Sequence, residues 1–198
     1  MQAVPGPDTM LVIGRGVGQG SRVALWTAVG AVSAGIIQLP LLAAGVASLL
    51  RASPLAFDAL RYAGAAFLVY LGVRLVVRKA AHRAIPTASS AVSWSRAFAE
   101  GMVSNLANPN VLLFMLAFLP QFIEPQRDSV ATQLLVLGGV QKFTGLIVLG
   151  GTAFAAGKLG EWLSRRPGWL VWQERFAGAI MILLGLRLVL TGDARGLR

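Results

Sequence analysis

No cysteine occurs in the 198 residues, and His82 is the sole histidine. The first absence excludes a disulfide framework, a thiolate metal site and a cysteine nucleophile. The second leaves no histidine pair for hydrolytic or metal chemistry, and there is no HExxH motif. No metal site or cofactor motif is expected. Charge is also scarce. Only 13% of residues are Asp, Glu, Lys or Arg, whereas an ordinary soluble domain carries about 25%. Acidic residues are the scarcer sign, 8 against 18 Lys plus Arg, for a net charge of +10. What is abundant is apolar: 56% of the chain, with a mean hydropathy of +0.67. Disorder is thereby excluded. The length accommodates about six membrane spans of roughly 20 residues with short loops.

The spans can be located. Val23 to Leu50 and Gly101 to Ile123 contain no charged residue, and Ala131 to Gly157 contains only Lys142. Each is long enough to cross a hydrocarbon core of about 30 Å as a helix. Tyr62 to Val73 and Phe176 to Leu186 are shorter, and each is bracketed by arginines: Arg61 and Arg74, Arg175 and Arg187. Arginine stems can snorkel, which extends these spans to about 54–77 and 168–191. The first segment is anomalous. Met1 to Gly14 is apolar but short, contains Pro5, Pro7 and Asp8, and stops at Arg15. It lacks the basic start and unbroken apolar core of a signal peptide. The expectation is a half-helix entering the membrane, or a start that lacks upstream residues.

An internal repeat organises these segments. Arg61 to Val76 resembles Arg175 to Val189 once one residue is dropped, keeping Arg, Ala-Gly-Ala, Gly, Arg and Leu-Val in order. Correspondence of the third and sixth spans makes two halves of three spans, and an odd number per half makes the repeat inverted. The expected fold is thus an all-α integral membrane protein of six helices, two inverted three-helix repeats, with the first helix short. It forms one membrane domain over 1–198: a first repeat about 1–78, a basic loop about 78–96 and a second repeat about 97–191. The first spans of the two halves both carry prolines inside apolar sequence, Pro5-Gly6-Pro7-Asp8 and Asn108-Pro109-Asn110. Paired broken helices point to a substrate site in a transporter, because freed backbone groups at membrane depth must line a cavity or be buried.

Orientation follows from the cations. Eleven of the Lys and Arg residues lie in or beside the odd loops, and six in the even loops and C-terminus. The odd loops are expected in the cytoplasm and both termini outside. The basic balance then needs no nucleic-acid partner, and no aromatic or motif support for one exists. Trp26, Trp162, Trp169 and Trp172 fall near span ends, as interfacial aromatics do. Small residues four apart, Ala31 with Gly35 and Ala43 with Ala47, allow close helix approach.

Several motifs together resemble the LysE/RhtB family of lysine, homoserine and threonine exporters. They are Pro5-Gly-Pro-Asp8, the run from Gly101 through Asn105 and Asn108-Pro109-Asn110 to Phe-Leu-Pro-Gln-Phe122, and Tyr62 to Gly72. The resemblance covers nearly the whole chain. It implies a secondary exporter of amino acids or related metabolites in the bacterial inner membrane, driven by protons and oligomeric. The chain departs from the family pattern in three places. About fifteen residues that usually precede Pro-Gly-Pro and complete the first span are absent. Asn110 stands where lysine commonly follows Asn-Pro. Gly35 is followed by Ile36, Ile37 and Gln38 rather than by an acidic residue and histidine.

The candidate site residues each carry two readings. Asp8 could hold a substrate ammonium or the coupling proton, or cap the half-helix after Pro7. Asn105, Asn108 and Asn110 could bind a substrate carboxylate or tie helices together. Lys142, a cation in mid-span, must face the interior or a wet cavity. It could bind a substrate carboxylate, pair with Asp8, or snorkel. Gln38 is a polar cavity contact beside Pro40, a kink. Pro5, Gly6, Pro7 and Pro109 shape the breaks. Glu100 reads as interfacial and His82 as solvated. Alternative functions are efflux of another small solute, a cation or drug, or a non-transporting scaffold. An enzyme is not expected.

Overall fold

A computed structural model describes residues 6–77, 92–124, 126–165 and 167–192. Its elements are helical throughout. They are α1 (Pro7–Gln19), α2 (Ser21–Ser33), α3 (Gly35–Ala52), α4 (Pro54–Val76), α5 (Trp94–Leu106), α6 (Pro109–Phe118), a 3-10 turn (Leu119–Phe122), α7 (Val130–Arg165) and α8 (Pro167–Gly192). The protein is an all-helical membrane protein. Among the described residues, three helical segments are long and apolar enough to cross a bilayer: Ser21–Ala52, Pro54–Val76 and Val130–Ala156. A fourth arises if α5 and the α6 segment to Phe122, bent by 56°, form one broken span. Pro5, His82 and most of the basic loop lie outside the described residues.

The helix boundaries follow local chemistry. Gly20, at φ +88°, turns the chain between α1 and α2, in a region that residues with a Cβ rarely adopt. Ser53 caps α4 by accepting from the Ala56 N–H, with Pro54 in the first helical position. Ser93 caps α5 in the same way through the Arg96 N–H. Pro109 ends one helix and begins the next. The residue before a proline is driven out of the helical region, and proline itself fits a helix start. The expected break at Asn108-Pro109 is therefore present, between Leu106 and Pro109. The irregularity in the second span lies at Ala34, between α2 and α3, while Pro40 sits inside the continuing α3. The N-terminal segment requires a correction. Arg15 was expected to end it, but α1 continues to Gln19 and Arg15 is buried.

The chain groups into two compact units. The first comprises residues up to 37, 79–109 and 140–174. Its core is rich in alanine: Ala24, Ala28, Ala31 and Ala153, with Val12 and Leu149. Glycines bring backbones together here. A Cβ on Gly30 would fall on the Phe98 carbonyl, and one on Gly101 on the Thr27 carbonyl. The order of these contacts makes α2 and α5 antiparallel.

The second unit comprises 38–78, 110–139 and 175–198. Larger side chains fill it, among them Leu39, Phe57, Met115, Leu119 and Leu134. Gln121 donates to the carbonyls of Arg61, at 2.7 Å, and Ala117, at 3.0 Å. It thereby ties α4 to the 3-10 turn. α4 and α8 meet backbone to backbone. A Cβ on Gly72 would sit 2.6 Å from the Gly178 oxygen, and one on Gly178 would sit 2.6 Å from the Gly72 oxygen. A Cβ on Gly185 would sit 2.8 Å from the Ala65 oxygen. These two helices are antiparallel too.

Candidate functional site

α1 begins at Pro7, and its N-cap, Gly6, has no side chain to cap it. Asp8 sits in the first turn, where the helix dipole favours an anion. Its carboxylate does not cap the helix but reaches across to α5. Oδ1 accepts from the Ser104 hydroxyl at 2.8 Å, and Oδ2 accepts from the Asn105 amide Nδ2 at 2.6 Å. The other end of that amide, Oδ1, accepts from the Lys142 ammonium at 3.1 Å. Three helices of the first unit thus supply one chain of bonds: carboxylate, amide, ammonium. Asp8, Asn105 and Lys142 are all buried.

Only one orientation of the Asn105 amide suits both neighbours, with its donors to the anion and its oxygen to the cation. The arrangement answers the cost of burying charge. A lone cation or anion here would be expensive, and removing one member of a buried pair typically costs about 3–5 kcal/mol. The break after Leu106 places Ser104 and Asn105 in the last turn of α5. Asn108 is buried beside it, and its backbone N–H donates to the Asn105 carbonyl at 3.2 Å. Gly35 makes room for the lysine stem. A Cβ there would lie 2.9–3.0 Å from Lys142 Cγ, Cδ and Cε.

A second charged group lies further along α1. Arg15 is paired with Glu100, which also accepts from Arg96 at 3.1 Å. Arg15 Nε and Nη1 are buried and have no hydrogen-bond partner among the described residues. Each such group costs about 1–3 kcal/mol if left unsatisfied. Among the described residues, no cluster of His, Cys, Asp or Glu could hold a metal ion.

Of the residues singled out in the sequence, Asp8, Asn105 and Lys142 are joined directly. Gly6 and Asn108 lie in the same unit, and Pro7 and Pro109 open α1 and α6. Gln38, buried in α3, and Asn110, half-buried in α6, belong to the other unit. Three residues were not read as part of a site: Ser104 was passed over, Arg15 was taken as the end of a segment and Glu100 as interfacial. Their signal was helical spacing, seven residues from Asp8 to Arg15 and four from Glu100 to Ser104, each pair on one face.

A family model for the LysE type translocator matches residues 1–192. The chain belongs to that family. It is a transporter and not an enzyme. The translocator is 30% identical over 191 residues to an uncharacterised membrane protein of Pseudomonas aeruginosa, covering 93% of this chain and 88% of the relative. It is 30% identical to the homoserine/homoserine lactone efflux protein of Salmonella typhimurium, covering 91% and 86%. It is also 30% identical to the leucine efflux protein of Salmonella choleraesuis, covering 68% and 63%. No solved structure matches the chain.

Proposed function

We propose that this translocator exports small zwitterionic amino acids of the homoserine and leucine type across the bacterial inner membrane, with the proton as coupling ion. The observation that carries the reading is the buried sequence Asp8 carboxylate, Asn105 amide, Lys142 ammonium. An amino acid bears the complementary pair. Its ammonium can take the place of the Asn105 donor at Asp8, and its carboxylate the place of the Asn105 oxygen at Lys142. Each buried charge then keeps a partner in the empty and the loaded state, which is what reversible binding at membrane depth requires. Asn105 is the internal stand-in that substrate displaces. Asp8 is the carboxylate of the network, so it is also the group assigned the coupling proton. The names of the Salmonella relatives support the substrate class.

The finer fold reading is six spans in two inverted repeats, about 1–78 and 97–191, within one domain. The α4–α8 contact supports it. In the repeat, Gly64 corresponds to Gly178 and Gly72 to Gly185. Gly178 packs on Gly72, while Gly185 packs on Ala65 and Val69. The third helices of the two repeats thus pack antiparallel on each other, as expected of inverted repeats. The cation distribution supports odd loops in the cytoplasm and both termini outside. A homo-oligomer is the assembly the resemblance implies.

The test is efflux of preloaded labelled homoserine and leucine from proteoliposomes containing the full chain, with and without an imposed proton gradient. Accelerated efflux that depends on the gradient is expected, and Asp8→Asn abolishes it while the protein still inserts. Efflux no faster than from empty vesicles refutes the substrate class. Normal coupled efflux by Asp8→Asn refutes the proton role.

A further inference from the structure

Asp8 and Arg15 are two turns apart on nearly one face of α1, and Glu100 and Ser104 share a face of α5. The α1–α5 seam therefore has two polar rungs, Asp8 with Ser104 and Asn105, and Arg15 with Glu100. The first rung is complete, with a donor on each Asp8 oxygen. The second is not. Arg15 is 8% exposed, yet two of its three guanidinium nitrogens have no partner among the described residues. The second rung also has one carboxylate facing two guanidinium groups, an excess of one positive charge. A buried guanidinium with idle N–H groups is a planar fork that matches a carboxylate.

Arg96 supplies what an exchange of partners would need. Its side chain is exposed, and it holds Glu100 Oε1 at 3.1 Å. Glu100 thus keeps a cation when Arg15 turns to another anion. We propose that Arg15 is a second recognition position for the substrate carboxylate, with Glu100 as the internal anion that the substrate displaces. This rests on the amino-acid reading above. Asp8 and Arg15 are separated by about 10 Å along the helix axis, too far to grip both ends of one α-amino acid at once. Arg15 is therefore a separate station, and the carboxylate passes between it and Lys142 during transport.

The test compares homoserine with homoserine lactone, which keeps the ammonium but ties the carboxylate into an ester. Uptake of labelled homoserine into proteoliposomes gives its KM, and inhibition of that uptake by the lactone gives the lactone's affinity. Arg15→Gln should raise the homoserine KM by about ten- to a hundredfold, the worth of a charged hydrogen bond, and change the lactone's affinity little. Arg15→Lys should fall between. Glu100→Gln, which removes the competing anion, should lower the homoserine KM. Equal losses for both ligands in Arg15→Gln overturn the assignment, as does an unchanged or raised homoserine KM in Glu100→Gln. That second variant decides the matter even if Arg15→Gln fails to fold. If the unaltered protein takes up neither leucine nor homoserine, the amino-acid reading itself fails and the Arg15 station with it.

Discussion

Removing both ends of the Asp8–Asn105–Lys142 chain should harm the fold less than the two single removals predict. The charges are bridged by one amide, with bonds of 2.6 and 3.1 Å on either side. That places them roughly 7 Å apart, and at an effective dielectric of about 20 their attraction is on the order of 2 kcal/mol. Lys142→Met leaves a buried carboxylate with neutral donors only, and Asp8→Asn leaves a buried ammonium. Each single change should cost about 3 kcal/mol, by analogy with other broken buried pairs. The double variant should cost about 2 kcal/mol less than their sum. Reversible unfolding of the full chain in mixed micelles titrated with SDS, followed by helical circular dichroism, measures all four corners of the cycle. Additivity within about 0.5 kcal/mol, the usual result for independent sites, would refute the linkage and show Lys142 to be neutralised elsewhere.

Three further outcomes are expected. Gly101→Val and Gly72→Val each drive a side chain into a neighbouring carbonyl and should lose about 1–3 kcal/mol or more in the same unfolding assay. Gly45→Ala, with nothing near its added Cβ, should lose nothing. Gly35→Val should displace the Lys142 stem and raise the homoserine KM about tenfold, with a smaller effect on stability, and an unchanged KM would remove Lys142 from the carboxylate site. Ser104→Ala deletes one of the two hydrogen bonds to Asp8, worth about 1.5–3 kcal/mol for a charged acceptor. Weakened homoserine uptake by that variant, with normal insertion, is the expected reading.

Much of this was legible in the chain because a bilayer is a harsh filter. Val23 to Leu50 and Ala131 to Gly157 have too few charges to be anything but buried or lipid-facing, and helices occupy both. Lys142 stood out for the same reason, as a cation where none is cheap. Pro109 announced its break through its own ring. Arg15 was misread because the same filter was applied locally. A charge after fourteen residues looks like the end of a span, but its partner, Glu100, comes from 85 positions away, and one sequence does not reveal pairings across that distance. Ser104 was passed over because serine is common in apolar helices, and only the approach of α1 gives it an acceptor. The irregularity at Ala34 has only the neighbouring Gly35 to mark it, a residue read for close helix approach rather than for a break. Pro40 downstream is accommodated within α3.

The glycine seams have a mechanical consequence. Where backbone touches backbone, as for α2 on α5 and α4 on α8, only a few side chains flank the contact, among them Val69, Val76 and Ile182 between α4 and α8. Each pair is expected to move as one stiff beam. Flexure is left to the places where the hydrogen-bond ladder is interrupted, Ala34 and the stretch before Pro109. The second interruption lies in the turn that follows Ser104 and Asn105. A bend there would swing the two donors off Asp8 without loosening either beam. Spin labels placed across a seam should report one narrow distance under all conditions. Labels placed across the breaks should report a distribution that substrate narrows.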